Sequence, residues 1–276
     1  MKSYRNGPCA LARTPVQGRP PFRTLQRTLL PIQQFESLGE SSRRALLALD
    51  EALLQPRSTL LKPIDRVAKN EAARLACIGD TLSNAAVGAN GRPPYVPGQA
   101  DLELSVCASL HQQVLESLSA GPPFMHQLVA VAKQCGVASP QLRRGTVSLD
   151  PDGSGIVVKF PDTALVYERI RNLQTIVHYA QGPGCYRALL VLVALLNGHA
   201  LTDGNGRVAR VIANIVLRDC YGDAEAFLPF YVLRRHAPFA LELGIRSVEL
   251  HGEWERISSL SLRLLNVFSP SHDGEN

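Results

Sequence analysis

The sequence predicts a mostly α-helical fold, a helical bundle carrying one small β-hairpin, and three observations lead there. Leucine and alanine recur at a period near 3.6 residues through most of the chain. Strand-type clusters of the kind an all-β protein carries are scarce, and the mixture favours helices. The period falls from 3.6 to 2 around DPDGSG at 150–155, where a turn sequence separates two alternating stretches.

The elements follow in order. Residues 1–34 read as a disordered basic tail, with Pro15, Pro20 and Pro21 among polar neighbours and six basic residues before the first acidic one, Glu36. The head lacks the apolar centre of a secretory signal peptide; its arginine-rich, acid-free character also suits a transit or translocation signal. SSRRALLALDEALL sets Leu46, Leu49 and Leu53 on one helical face behind a serine that can cap, and Pro56 ends it. Pro63 suits the first turn of a second helix, whose face is Ile64, Val67, Ala68, Ala72, Leu75, Ile78 and Leu82.

GRPPYVPGQ is a loop, Asp101 heads a helix to about Leu118, and another helix follows Pro122 and Pro123. In the predicted hairpin Val147 and Leu149 alternate against Ile156, Val158 and Phe160. Helical spacing returns from Asp162, and the run from Tyr186 to Leu196 is apolar all round, hence central. RVARVIANIVLRDC and shorter closing helices complete the chain. The expected organisation is a domain over 35–268, with N-terminal helices over 41–90, a core over 101–220, closing helices over 225–268, and a disordered C-terminus over 269–276.

Several function classes drop out. The longest apolar run spans Ala188 to Leu196, well short of the roughly 20 residues that cross a bilayer, so no membrane partner is expected. The cysteines are scattered without a C-x-x-C pair, which argues against a zinc knuckle or a disulfide framework and for a reducing, cytoplasmic setting. The net charge of +5 is concentrated in the head, so no nucleic-acid partner is expected of the folded part.

The stretch that carries chemistry is HALTDGNGRVAR, 199–210. Glycines around a short polar residue let backbone N–H groups form a nest, and a helix beginning directly afterwards adds the positive end of its dipole. Arg207 and Arg210, one turn apart, can fork onto phosphate oxygens. Asp203 is a hard oxygen ligand suited to magnesium, and His199 can accept a proton near neutral pH. Base, metal ligand, anion nest and cationic clamp in this order describe phosphoryl or nucleotidyl transfer. Walker, dinucleotide and EF-hand patterns fail on these residues. Any one of them alone reads as an interhelical turn; seven in order do not.

These seven positions, His199, Asp203, Gly204, Asn205, Gly206, Arg207 and Arg210, resemble the signature of the Fic family, H-x-F-x-D/E-G-N-G-R-x-x-R. The chain departs at Leu201, where the family has phenylalanine, and at Ala200. The resemblance covers about 35–268, weakly outside the signature. It implies a protein adenylyltransferase that moves AMP from ATP to a hydroxyl side chain of a target protein. His199 would be the general base and Asp203 would hold Mg²⁺. Gly204, Asn205 and Gly206 would cradle the anion, and Arg207 and Arg210 would hold the outer phosphates. Gly206, where a phosphorylating branch carries lysine, points to nucleotidyl transfer. Ile156, Val157, Val158, Lys159 and Phe160 would form the flap on which a target segment docks.

The family's inhibitory helix would fall on EAARLACIGDT, with Gly79 where its glutamate stands. The resemblance therefore implies an enzyme without that intramolecular brake, either constitutively competent or held by a separate inhibitory partner. Two alternatives stay open: a catalytically silent nucleotide- or partner-binding module, and the same chemistry with another donor such as UTP, GTP or a phosphocholine nucleotide.

Overall fold

The structure is a computed structural model that describes residues 23–55, 63–83, 95–120, 123–148, 156–179 and 181–268. At its centre α7 (Gly184–Gly198) folds back on α8 (Asn205–Tyr221), the most extensive helix–helix contact among the described residues. Both helices bury residues on nearly every face, as expected for elements surrounded by others. On one side α8 packs against α4 (Gln99–Ala120) and α5 (Pro123–Gln134). On the other, α7 meets α6 (Thr163–Tyr179) and α1 (Glu40–Leu54), and α1 pairs with α11 (Glu255–Phe268). The remaining helices are α2 (Ile64–Asn70), α3 (Ala72–Ser83), the short α9 (Leu233–His236) and α10 (Ala240–His251). The mostly helical fold class is as predicted.

Leu46, Leu49 and Leu53 are buried on α1, as their spacing requires. No serine caps this helix: its N-cap is Gly39, and Ser42 instead accepts the Trp254 N–H at 2.9 Å, which joins α1 to the start of α11. The second helix expected from Pro63 is broken at Glu71, whose φ of −97° and ψ of 19° separate α2 from α3. Asp101 does not head α4, which starts at Gln99. Its carboxylate caps the neighbouring α2, accepting the Ile64 N–H at 2.6 Å and the Asp65 N–H at 3.4 Å. Asp65 in turn holds the Tyr95 hydroxyl and the Gly98 N–H, which fixes the chain entering α4.

The β structure differs from the expected hairpin. Strand β2 (Ile156–Lys159) pairs in parallel with β1 (Arg23–Gln26), in the register Arg23↔Ile156 to Gln26↔Lys159. The antiparallel side is reduced to one bridge, Ser148↔Lys159, and the bond from Phe160 N–H to Val147 O at 2.9 Å. The turn between them lies outside the described residues. Residues 23–34 are therefore not part of a disordered tail; residues 1–22 and 269–276 lie outside the description. The segment is tied down at several points. The Arg27 N–H bonds Lys159 O at 2.8 Å, its guanidinium bridges Glu249 at 3.2 Å, and Asn197 holds Leu30 N–H and Thr28 O at 3.0 and 3.2 Å. Among the described residues no helix is long and apolar enough to cross a membrane.

Candidate active site

His199 is the left-handed residue that ends α7, with φ 51° and ψ 56°, and its N–H closes onto Leu195 O at 3.1 Å. A non-glycine residue in this region costs about 1 kcal/mol, so neighbouring contacts must hold it. The ring stacks on Phe160 with centroids 3.9 Å apart, and a ring nitrogen bonds the Leu196 carbonyl. Arg143, fully buried, bonds the carbonyls of Gly198 (3.1 Å), Gly145 (3.1 Å) and Pro161. The Arg143 guanidinium thereby braces the backbone beside His199. Burial first, then Arg143 and Arg27, lower the His199 pKa to about 4, so the ring is neutral at physiological pH.

The signature loop is pinned from both sides. Leu201 bridges Leu142, Arg143 N–H donates to Ala200 O at 2.9 Å, and Thr202 N–H donates to Gln141 O at 2.9 Å. Leu201 is buried, so the family's phenylalanine position remains a packing position. Asn205 closes a five-residue ring: its side chain accepts from Leu201 N–H at 2.8 Å and donates to Leu201 O at 2.9 Å. The expectation gave Asn205 to the anion, but its carboxamide is committed to the loop. At Gly204, φ is 83° and an added Cβ would stand 2.6 Å from Val137 Cγ2, so both conformation and space require glycine.

Helix α8 makes its first turn bond from Val208 N–H to Gly204 O at 3.0 Å. The N–H groups of Asn205, Gly206 and Arg207 are thus the donors that a helix start cannot use internally. They border a cleft of about 350 Å³ lined by all seven signature positions together with Val96, Gln99, Thr202, Tyr231 and Arg234. A second, more apolar cavity of about 420 Å³ shares His199, Gly206, Arg210 and Arg234 with it and continues past Phe160, Phe230 and Leu233. Asp203 is exposed at the rim, and one of its oxygens accepts the Gly204 N–H at 2.6 Å. Among the described residues no three metal-ligating side chains cluster. A magnesium ion that takes one carboxylate, waters and substrate phosphates needs only the single ligand that Asp203 offers.

The two arginines differ sharply. Arg207 is half-buried and donates to Cys135 O at 3.2 Å. Arg210 is buried and grips Glu103 of α4 at two points, Nε to Oε2 at 2.9 Å and Nη2 to Oε1 at 2.6 Å. Burial alone would lower the Arg210 pKa, but Glu103 outweighs it and the net direction is upward. Gly79, read as the degenerate inhibitory position, is on α3, which packs against α9, α10 and α11. The carboxylate that holds the second arginine comes from another helix altogether.

Of the predicted flap, Val157, Val158 and Lys159 are half-buried, and Phe160 turns inward onto His199. The Arg27 guanidinium lies 4.7 Å from the Phe160 ring centre. Sequence reasoning missed Glu103, Arg234, Arg27 and the Phe160–His199 stack. The tandem Arg234-Arg235 was the one visible signal, and it reads equally as solvated surface.

The two central helices thus form one class of helical bundle, with a left-handed histidine at the end of one helix and a glycine-rich start of the next helix opposite it. The crystal structure of a Fic family protein from Desulfovibrio desulfuricans G20 superposes on this chain with a TM-score of 0.53 at 16% sequence identity, over 86% of this chain and 75% of that one. The chain has the Fic fold. No protein-family model and no curated protein matches the sequence.

Proposed function

We propose that the protein is an adenylyltransferase that transfers AMP from ATP to a hydroxyl side chain of a target protein. The observation that carries this reading is the convergence of a neutral His199 with the N-terminus of α8 and Arg207 on one cleft. With one ring nitrogen on the Leu196 carbonyl, the other nitrogen is the base. The acceptor oxygen attacks the α-phosphorus, its proton passes to His199, the bond between the α-phosphorus and the bridging oxygen breaks, and pyrophosphate leaves. The helix start holds the charge that develops on the phosphoryl oxygens. Asp203 would hold Mg²⁺, which supplies charge neutralisation between the phosphates.

A base of pKa about 4 is weak in the free protein. A bound triphosphate offsets the fields of Arg143 and Arg27 and raises its basicity when the donor is present. The adjoining apolar cavity has room for the base or for an acceptor side chain. Because the groups that line the cleft would engage phosphates and not a particular base, other nucleotide donors belong to the same reading. The target segment would pair with the flap strand by main-chain hydrogen bonds, and β1 fills that edge.

A second reading, a silent nucleotide- or partner-binding module, is favoured by one observation: Arg210 is already satisfied by Glu103. The two separate in one experiment. Full-length protein with Mg²⁺ and cell extract is given ATP labelled at the α- or the γ-phosphate. Transfer of the α label alone, lost in His199→Ala, supports the transferase; binding of ATP without transfer of either label supports the module.

A further inference from the structure

Positive charge in the cleft is distributed differently from what the signature implies. Arg210 is cancelled by Glu103, both partners being buried. Arg207 keeps its full charge, its contact being a carbonyl. A third guanidinium lines the same cleft: Arg234, on α9. Its Nε is buried and finds no hydrogen-bond partner among the described residues, and no carboxylate bridges it there. Its guanidinium sits 5.8 Å from the Tyr231 ring centre, and Arg210 lies 5.1 Å from the same ring. Two arginines thus flank one tyrosine, and only one of them has an acid.

Burial first, then the Arg210 guanidinium, push the Arg234 pKa down. A half-buried cation beside like charges is unfavourable until an anion joins it. One phosphate at the helix start would engage the orphan N–H groups and needs no second uncompensated arginine. Two guanidiniums that no carboxylate bridges among the described residues, on Arg207 and Arg234, match the extra charge of a pyrophosphate extension.

We propose that Arg234 is a third anion-binding arginine, which holds the phosphates beyond the first and takes the share that the signature assigns to Arg210. The identity of the anion as the outer part of ATP rests on the transferase reading; the site for a diphosphate does not. Arg210, anchored by Glu103, then acts from behind, presenting its remaining N–H group, Nη1, toward Gly206, where an added Cβ would lie 3.2 Å from it.

The test is calorimetric titration of the full chain with inorganic pyrophosphate, AMP and ATP, each with Mg²⁺, for the natural protein, Arg234→Gln and Arg234→Lys. The expected result is a loss of at least tenfold for pyrophosphate and ATP in Arg234→Gln, under twofold for AMP, and partial recovery in Arg234→Lys. Equal ATP and pyrophosphate affinities in the natural and Gln proteins overturn the proposal. So does an AMP loss as large as the ATP loss, which marks collapse of the cleft. Arg234-dependent pyrophosphate binding without label transfer upholds this site and removes the transferase reading. A natural protein that binds neither pyrophosphate nor ATP removes both.

Discussion

Arg210 and Glu103 stand 107 residues apart in sequence and meet in a two-point ion pair between α8 and α4, with the arginine also 5.1 Å from the Tyr231 ring centre. Gln99, one turn before Glu103, donates to the same carboxylate at 3.3 Å. Removing one member leaves the other charge buried without compensation. Glu103→Gln is expected to destabilise the protein by about 3 kcal/mol in urea unfolding. The double replacement Glu103→Leu with Arg210→Met should cost less than either single change; if the single and double costs simply add, the pair is not energetically coupled.

The His199 pKa gives a pH signature. Burial, Arg143 and Arg27 lower it from 6.5 to about 4, so the folded ring stays neutral through the range in which an unfolded histidine takes up its proton. Between those values the unfolded state binds the proton and the folded state does not, so stability falls as pH drops from 6.5 toward 4 and is fully present above 6.5. The ring carbon resonances of His199 should stay flat from pH 8 to 5 in the free protein, and their midpoint should rise on adding Mg-ATP. A midpoint near 6.5 in the free protein would contradict the buried stack on Phe160.

Strand β1 occupies the flap edge that a target segment would use. Leu25 is 44% exposed, so Leu25→Pro removes a ladder donor without emptying core. If docking is by strand pairing, Leu25→Pro raises target labelling several-fold, whereas Val158→Pro abolishes it with ATP affinity intact. Unchanged labelling in both proteins would falsify the pairing route.

Gly204 has neither the space nor the backbone angle for a side chain. Gly204→Ala is expected to cost about 2 kcal/mol or more through its positive φ and the contact with Val137. Adding Val137→Ala should recover only the steric part, so a full recovery of thermal stability would show that the backbone angle is not strained.

The sequence made the signature legible because its chemistry is local: seven residues within twelve positions share one loop and one helix start, and all seven line the cleft. The helical bundle was legible from periodicity, as in α1, and its centre from the unbroken apolar run of α7. What remained hidden is non-local. Glu103 sits in a polar helix pattern indistinguishable from a solvated face until α8 packs on it. Arg234 lies in LRRH, where consecutive basic residues point in different directions. β1 is four residues long and pairs in parallel with a partner some 130 positions away, which no alternation rule detects. The Asn70–Glu71 break in the second helix follows no proline or glycine, so the 3.6 period runs straight through it.

The buried guanidinium of Arg143 links the carbonyl that precedes His199 to the carbonyl that follows Phe160. Strand and imidazole are thereby yoked: a lateral drift of one drags the other along. On the transferase reading, an incoming hydroxyl and its proton acceptor would then stay in register as the rim moves.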